Sequence, residues 1–343
     1  MVRNFSVILF LACIFLSFVS SNSTNFYPLY KKIYAHIFST DETSSFLAIT
    51  DQVQTESELV QTNLVNNNLS LAQNHANKAA ALLTPTIITE ISEANEGIAD
   101  KLLTTVSDLQ KISSSSDEQR QMVNQLVSDI NATLGEAVVV RTQQRQQDDS
   151  SNFLEGGIEF LRGIFGGGGQ ESNDKIELNS TTQPLAFADL VDSVLINYGN
   201  AYAVDFDMTN MSNMVMMGGN SSEMMTMNGN NSDMNMDSMN MSSSSSSIDM
   251  DNKTDRDYSL VDITDYQSAQ ALATKAHKIF NTELKPMAPN NTTAFVTNLE
   301  NGLVQLNSSI RSKASPMDIM MIVHTQIHPN LLEAFNLGLR QTN

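Results

Sequence analysis

Between Thr84 and Ser113 the apolar residues fall at Ile87, Ile91, Ala94, Ile98, Leu102, Val106, Leu109 and Ile112. Steps of three and four put them in one stripe, the mark of an amphipathic helix. Thr84 is the expected N-cap, and Pro85 suits the first helical position because its missing amide is not needed there. The stripe resumes at Met122, Leu126, Ile130, Leu134 and Val138. Tyr30, Tyr34 and Phe38 form a docking stripe for a short leading helix, and Leu154, Ile158, Leu161 and Phe165 form a small amphipathic set. The period-two alternation of strands is nearly absent. Short connections at Thr84 and at "SSSSD" predict antiparallel neighbours, so the expected class is all-α, built as a helical bundle.

The pattern also repeats. "AQNHANKA" at 72–79 matches "AQALATKA" at 269–276, an offset of 197, and "LGEA" at 134–137 meets "LLEA" at 331–334 at the same offset. Between them Ile98 pairs with Phe295, Leu102 with Leu299, Val106 with Leu303, Leu126 with Val323 and Ile130 with Ile327. Upstream, "FLAITDQV" at 46–53 resembles "FADLVDSV" at 187–194, now at an offset of 141. The difference between the two offsets is close to the length of a methionine-rich tract in the second half. A duplicated helical unit with an insertion in its second copy accounts for this. Chance likeness between amphipathic helices is the alternative. The expected organisation is a leader at 1–21, one unit at 22–146, a Gly-rich linker at 147–182, and a second unit at 183–343. A disordered insertion at 205–257 interrupts that second unit.

The leader reads as a secretory signal peptide: Arg3, an apolar run from Phe5 to Val19, then Ser20 and Ser21. It is too short to anchor a membrane well, and no later run reaches the ~20 apolar residues of a spanning helix. The expected location is therefore secreted or extracytoplasmic, with no membrane insertion after cleavage. Cys13, the lone cysteine, lies in that leader, so no disulfide or thiolate ligand is expected in the mature chain. The net charge of −19 argues against nucleic acid as a partner. Twelve N-x-S/T sequons follow the leader, among them Asn68, Asn131, Asn179, Asn252 and Asn307, and they fit a glycosylated surface.

"FADLVDSVLINYGNAYAVD", "DYQSAQALATKA", "LENGLVQLNSSIRSKASPMDI" and "LLEAF" together resemble the helical extracytoplasmic region that precedes the membrane part of oxidase-dependent iron permeases and related metal-uptake proteins. Tyr198, Asp265 and Tyr266 would take that family's Tyr turn and Asp/Glu-Tyr helix start. The likeness covers roughly 184–204 and 262–338, and more weakly 46–137. It implies a helical domain associated with metal uptake, and no transport, because the membrane helices are missing.

The candidate chemistry lies in the tract. It holds Met208, Met211, Met214, Met216, Met217, Met224, Met225, Met227, Met234, Met236, Met239, Met241 and Met250, which are 13 of the chain's 19 methionines. Leu, Ile, Val and aromatics are almost absent there, so these side chains are expected to have no core to fill, and the Gly, Asn and Ser between them favour disorder. Thioethers are soft, neutral donors that suit Cu(I). Asp205, Asp207, Asp233, Asp237 and Asp249 add oxygen donors. The tract is similar to those of extracytoplasmic copper-handling proteins. A neutral low-complexity spacer and an oxidant sink are the competing readings.

A second candidate is "PMDIMMIVHTQIHPN" at 316–330, where Met320, His324 and His328 fall at i, i+4 and i+8, with Met317 and Met321 near. Pro329 should kink or end that helix. A plain boundary histidine is the competing reading, since Val127 and Asn131 occupy the matching places. Glu90, Glu93 and Glu96 are expected on a solvated face, and His36, His75 and His277 are isolated. No nucleophile motif, phosphate loop or clustered Cys and His appears, so no enzyme is expected. The expectation is an extracytoplasmic copper protein, a buffer or donor of Cu(I), whose partners are metal ions and a membrane metal transporter or a cuproprotein. The alternative is a cell-surface interaction module with an inert tract.

Overall fold

A computed structural model describes residues 42–148, 181–210 and 258–337. The leader, the Tyr30–Phe38 stripe, the Leu154–Phe165 set and the tract from Met211 to Met250 lie outside the described residues. Helices carry the described chain, with no strand among the described residues. The main ones are α1 (Glu42–Val65), α2 (Leu69–Leu82), α3 (Pro85–Ala94), α4 (Glu96–Leu109), α5 (Asp117–Asp148), α6 (Thr182–Ala201), α7 (Ile263–Ile279), α8 (Thr293–Arg311), α9 (Pro316–Ile322) and α10 (His328–Phe335). The all-α class is thus observed. No described helix is long and apolar enough to cross a membrane.

The caps explain where helices start. Thr84 accepts the Ile87 amide with Pro85 behind it. Asp262 accepts from Thr264 and Asp265. Ser315 accepts the Asp318 amide and donates back to its carboxylate at 2.8 Å. One expectation fails here: the stripe from Thr84 to Ser113 is two helices. Asn95 ends α3 through its own amide on Ile91 O at 2.7 Å and starts α4 by accepting the Ile98 amide at 3.3 Å. An Asn side chain competes with the helix for backbone bonds, and at this position it caps instead of continuing. The stripe of α5 holds at Ile130, Leu134 and Val138, which are buried, and departs from the expectation only at its start. Val123 and Val127 are buried and Met122 is exposed. Likewise Phe295 faces out on α8 while its neighbour Val296 is buried.

Helices α1 and α6 lie at the centre, packed on each other and each on its following helix, α2 and α7. Both are buried nearly all round, and many of their polar residues are satisfied locally. Thr50, Thr55 and Ser57 donate to carbonyls four residues back on α1, and Ser193 and Asn197 do the same on α6. Such back-bonding is how a hydroxyl can enter a core without an orphaned donor.

The buried apolar residues form two clusters. One runs from Phe46 to Val138 and takes in Ala186; the other runs from Leu185 to Leu337. Helices α4 and α8 begin at Glu96 and Thr293, which stand at the offset of the sequence repeat. At that offset Leu102 and Leu299, Val106 and Leu303, Leu109 and Leu306, and Ile130 and Ile327 are all buried. Tyr198 and Tyr266 tie the second cluster together by donating to Ala314 O at 2.6 Å and Ile310 O at 2.8 Å. Burial pushes both phenols above their ordinary range, with nearby tyrosines adding to it.

Two π-helical turns interrupt the second half, Phe280–Leu284 after α7 and Val323–Ile327 between α9 and α10. The second is the expected disturbance ahead of Pro329. Proline cannot bond to the carbonyl four residues back, and the widened turn accommodates the gap.

Candidate functional site

Where α1 and α2 meet α6 and α7, ionisable side chains are buried together. His75 faces Glu56 Oε2 through Nδ1 at 2.7 Å and Gln267 Oε1 through Nε2 at 2.9 Å, and Asn63 also donates to that amide oxygen at 3.0 Å. Lys78 donates to Asp265 Oδ1 at 2.5 Å, Asn197 Oδ1 at 2.6 Å and Ser268 Oγ at 2.8 Å, with Glu56 Oε1 at 3.5 Å. Burial drives the Glu56 carboxyl up, but the His75 hydrogen bond and the Lys78 charge outweigh it and hold the group below the ordinary range. Burial wins at Asp265, which is raised even beside Lys78. His75 is therefore not isolated.

Lys275, which matches Lys78 in the repeated pattern, reaches in the opposite direction. It meets Asp51 Oδ1 at 3.0 Å and Gln54 Oε1 at 2.6 Å on α1. Glu283, on the first π turn, is pushed up to about 8 by burial and by the charge of Asp51. These groups are spent on one another across the contact between the halves. Glu90, expected on a solvated face, pairs with Arg141 at 2.8 Å because α3 packs against α5.

The second polar cluster concerns the sequence candidates directly. Met208, expected in a disordered insertion, is 3% exposed and belongs to the core of the second half. It fits because Gly199 leaves room: a Cβ there would stand 3.0 Å from the Met208 Sδ. The chain leaves α6 through Ala203 at φ 50°, and Asp207 caps the next turn by accepting from the Thr209 amide at 2.9 Å. The segment that follows α6 therefore belongs to the fold as far as Asn210, beyond the expected boundary at 205.

His324 holds Met208 there. Its Nε2 lies 2.9 Å from Met208 O, and since a carbonyl only accepts, Nε2 carries the proton. His324 is 2% exposed, and its Nδ1 is buried without a hydrogen-bond partner. The His328 ring stands edge-on to His324, centroids 5.2 Å apart, and its Nε2 faces Asp192 Oδ1 of α6 at 3.3 Å. Met320 is wholly buried in the same core. So Met208, Met320, His324 and His328 all lie in this core, and the two histidines are buried residues, not boundary ones. Met321 is excluded. It is exposed and lines, with Asp318 and Thr325, a surface groove of about 260 Å³.

Asp192 escapes sequence reasoning. The available signal is its place in "FADLVDSV", an aspartate in an apolar run that matches Asp51 of "FLAITDQV". Both prove buried, each facing a basic side chain. Among the described residues no group of three or more His, Cys, Asp or Glu is placed to hold a metal ion. A site here would have to use imidazole nitrogen and thioether sulfur.

No family model, no curated protein and no solved structure matches this chain.

Proposed function

We propose that this chain is a copper-binding protein of the extracytoplasmic space, a buffer or donor of Cu(I) that acts through its methionine tract. The ligands are Met208, Met211, Met214, Met216, Met217, Met224, Met225, Met227, Met234, Met236, Met239 and Met241, with Met320, His324 and His328 at the base. What carries the reading is the attachment point. The first methionine of the tract is seated in the core under His324, so the sulfur-rich segment starts beside two imidazoles. A neutral spacer needs no such anchor. Thioethers and imidazoles without thiolate select a soft monovalent ion over Zn(II), which favours thiolate, imidazole or carboxylate. The leader at 1–21 supports export, and the exposed sequon at Asn68 supports glycosylation, whereas Asn307 is buried and its amide donates to Ala273 O and Leu303 O. The likeness to the extracytoplasmic helical region of iron permeases supports a membrane metal transporter or a cuproprotein as partner. The matching starts of α4 and α8, at Glu96 and Thr293, support a duplicated bundle.

The test is anaerobic Cu(I) titration of the mature chain against a chromogenic Cu(I) chelator. The wild-type chain should take several equivalents. A variant with every methionine from Met211 to Met250 changed to Ser should lose most of them, as should peroxide-treated protein, since sulfoxide is no longer a soft donor. Equal uptake by both would replace this reading with the alternative, a cell-surface interaction module whose tract is inert.

A further inference from the structure

We propose that His324 Nδ1, with His328 and the Met208 and Met320 thioethers, forms a distinct inner seat for one Cu(I) ion, built into the folded core and separate from the tract's own sites. This rests on the reading that the chain handles copper, and it assigns the residues at the base of the tract to a site of their own. The tract's methionines come from one continuous segment of the sequence; the seat's donors come from packed helices and from the turn that follows α6.

Three observations converge. The first is the wiring of the imidazoles. A histidine that ligates a metal usually gives its other ring nitrogen to a carbonyl or carboxylate, which sets the tautomer and aims the free lone pair. His324 Nε2 donates to Met208 O, and His328 Nε2 faces Asp192. With Nε2 protonated, His324 Nδ1 carries a bare lone pair, buried and without a hydrogen-bond partner. Leaving such a group unsatisfied costs stability, which a bound ion would recover.

The second is that the first half fills its matching core positions without a histidine. At the repeat offset, Met320 and His324 stand where the first half has Val123 and Val127, both buried. Valine fills the matching core positions without any polar group. His328 stands where the first half has Asn131, and Met208 lies beyond the stretch that the first half matches. Every donor is thus specific to the half that carries the tract.

The third is backbone geometry. His324 lies within the π turn Val323–Ile327, and His328 follows it directly. Such a turn adds a residue and re-aims the side chains around it, a feature concentrated at functional sites. Two imidazole nitrogens and one or two thioethers suit low-coordinate Cu(I), and among the described residues no group of three or more His, Cys, Asp or Glu offers a harder ion a place. The seat includes Met208, two residues before Asn210, where the described chain leads into the tract.

The test starts from the full mature chain with all methionines from Met211 to Met250 changed to Ser, keeping Met208. Cu(I) is supplied anaerobically as its acetonitrile complex against a chromogenic chelator. This tract-silent protein should retain one tight equivalent, with X-ray absorption showing both nitrogen and sulfur neighbours. His324→Val, which installs the residue of the other half, should weaken that equivalent at least 100-fold while keeping the helical circular dichroism. Asp192→Asn, which touches only the outer partner of His328, should weaken it about 10-fold. If the tract-silent protein and its His324→Val derivative bind Cu(I) alike, the seat does not exist, whatever the tract does. If the tract-silent protein keeps its one equivalent and the wild-type tract adds none, the seat stands and the tract reading fails.

Discussion

Lys78 Nζ on α2 lies 2.5 Å from Asp265 Oδ1 on α7, so one ammonium ties the first half of the chain to the second. The pair is mostly buried, with side-chain exposures of 27% and 18%, and Asn197, Ser268 and Glu56 share the same ammonium. Replacing Lys78 with Met would leave two carboxylates facing each other without their cation. The expected loss is about 2 kcal/mol, less than for a fully buried pair because water reaches part of this one. Urea denaturation measures it. Lys111→Met, which breaks the exposed pair with Asp108, is the control and should cost less than about 0.5 kcal/mol.

Two carboxylates give stability opposite pH dependences. Glu283 keeps its proton in the folded protein until about pH 8, whereas the unfolded chain releases it near 4.5. Between those values each rise in pH favours the unfolded state. Glu283→Gln should therefore raise stability at pH 8 by roughly 1–3 kcal/mol, change little at pH 4, and flatten the slope between. Glu56 behaves oppositely. Held below its ordinary value, it adds stability at neutral pH that is lost as pH falls through its folded pKa. Denaturation midpoints for wild type, Glu283→Gln and Glu56→Gln from pH 3 to 8 test both signs.

The buried position of Met208 moves the boundary of what can be removed. Replacing 211–256 with a short Gly/Ser loop should leave the melting temperature within a few degrees of wild type, because loop length changes closure entropy by only about 1 kcal/mol. Replacing 206–256 deletes Met208 and Thr209, both buried, and should cost about 2–4 kcal/mol. Equal melting of the two variants would show that Met208 contributes no packing.

Asn95 serves two helix ends at once. Asn95→Ala removes the cap of α4 and should cost about 1 kcal/mol by chemical denaturation, with almost no change in far-ultraviolet circular dichroism. A gain in helicity and stability would mean that α3 and α4 fuse, as the uninterrupted apolar stripe implies.

Much of the architecture was legible along the chain. The step of three and four at Leu102, Val106 and Leu109 placed those residues in the core, and Thr84 with Pro85 marked a helix start that the structure contains. Errors arose where one residue decides between continuing and stopping, as at Asn95, or where two adjacent apolar residues compete for one face. Val123 beat Met122, and Val296 beat Phe295. Periodicity alone cannot rank such neighbours, because the choice depends on the surface of the facing helix.

What the sequence determined by itself was local: helix-forming periodicity, capping residues, and a tract too poor in branched and aromatic residues to build a core of its own. These follow from each residue's neighbours in the chain. Only tertiary structure decided the partners of the buried polar groups. His75 reads as isolated because Glu56 and Gln267 are 19 and 192 residues away. Asp192 is far in sequence from His328, and Met208 lies 116 residues before the histidine that holds it. A charge or lone pair removed from water must find a complement, and which one it finds is set by how helices cross, not by how the chain reads.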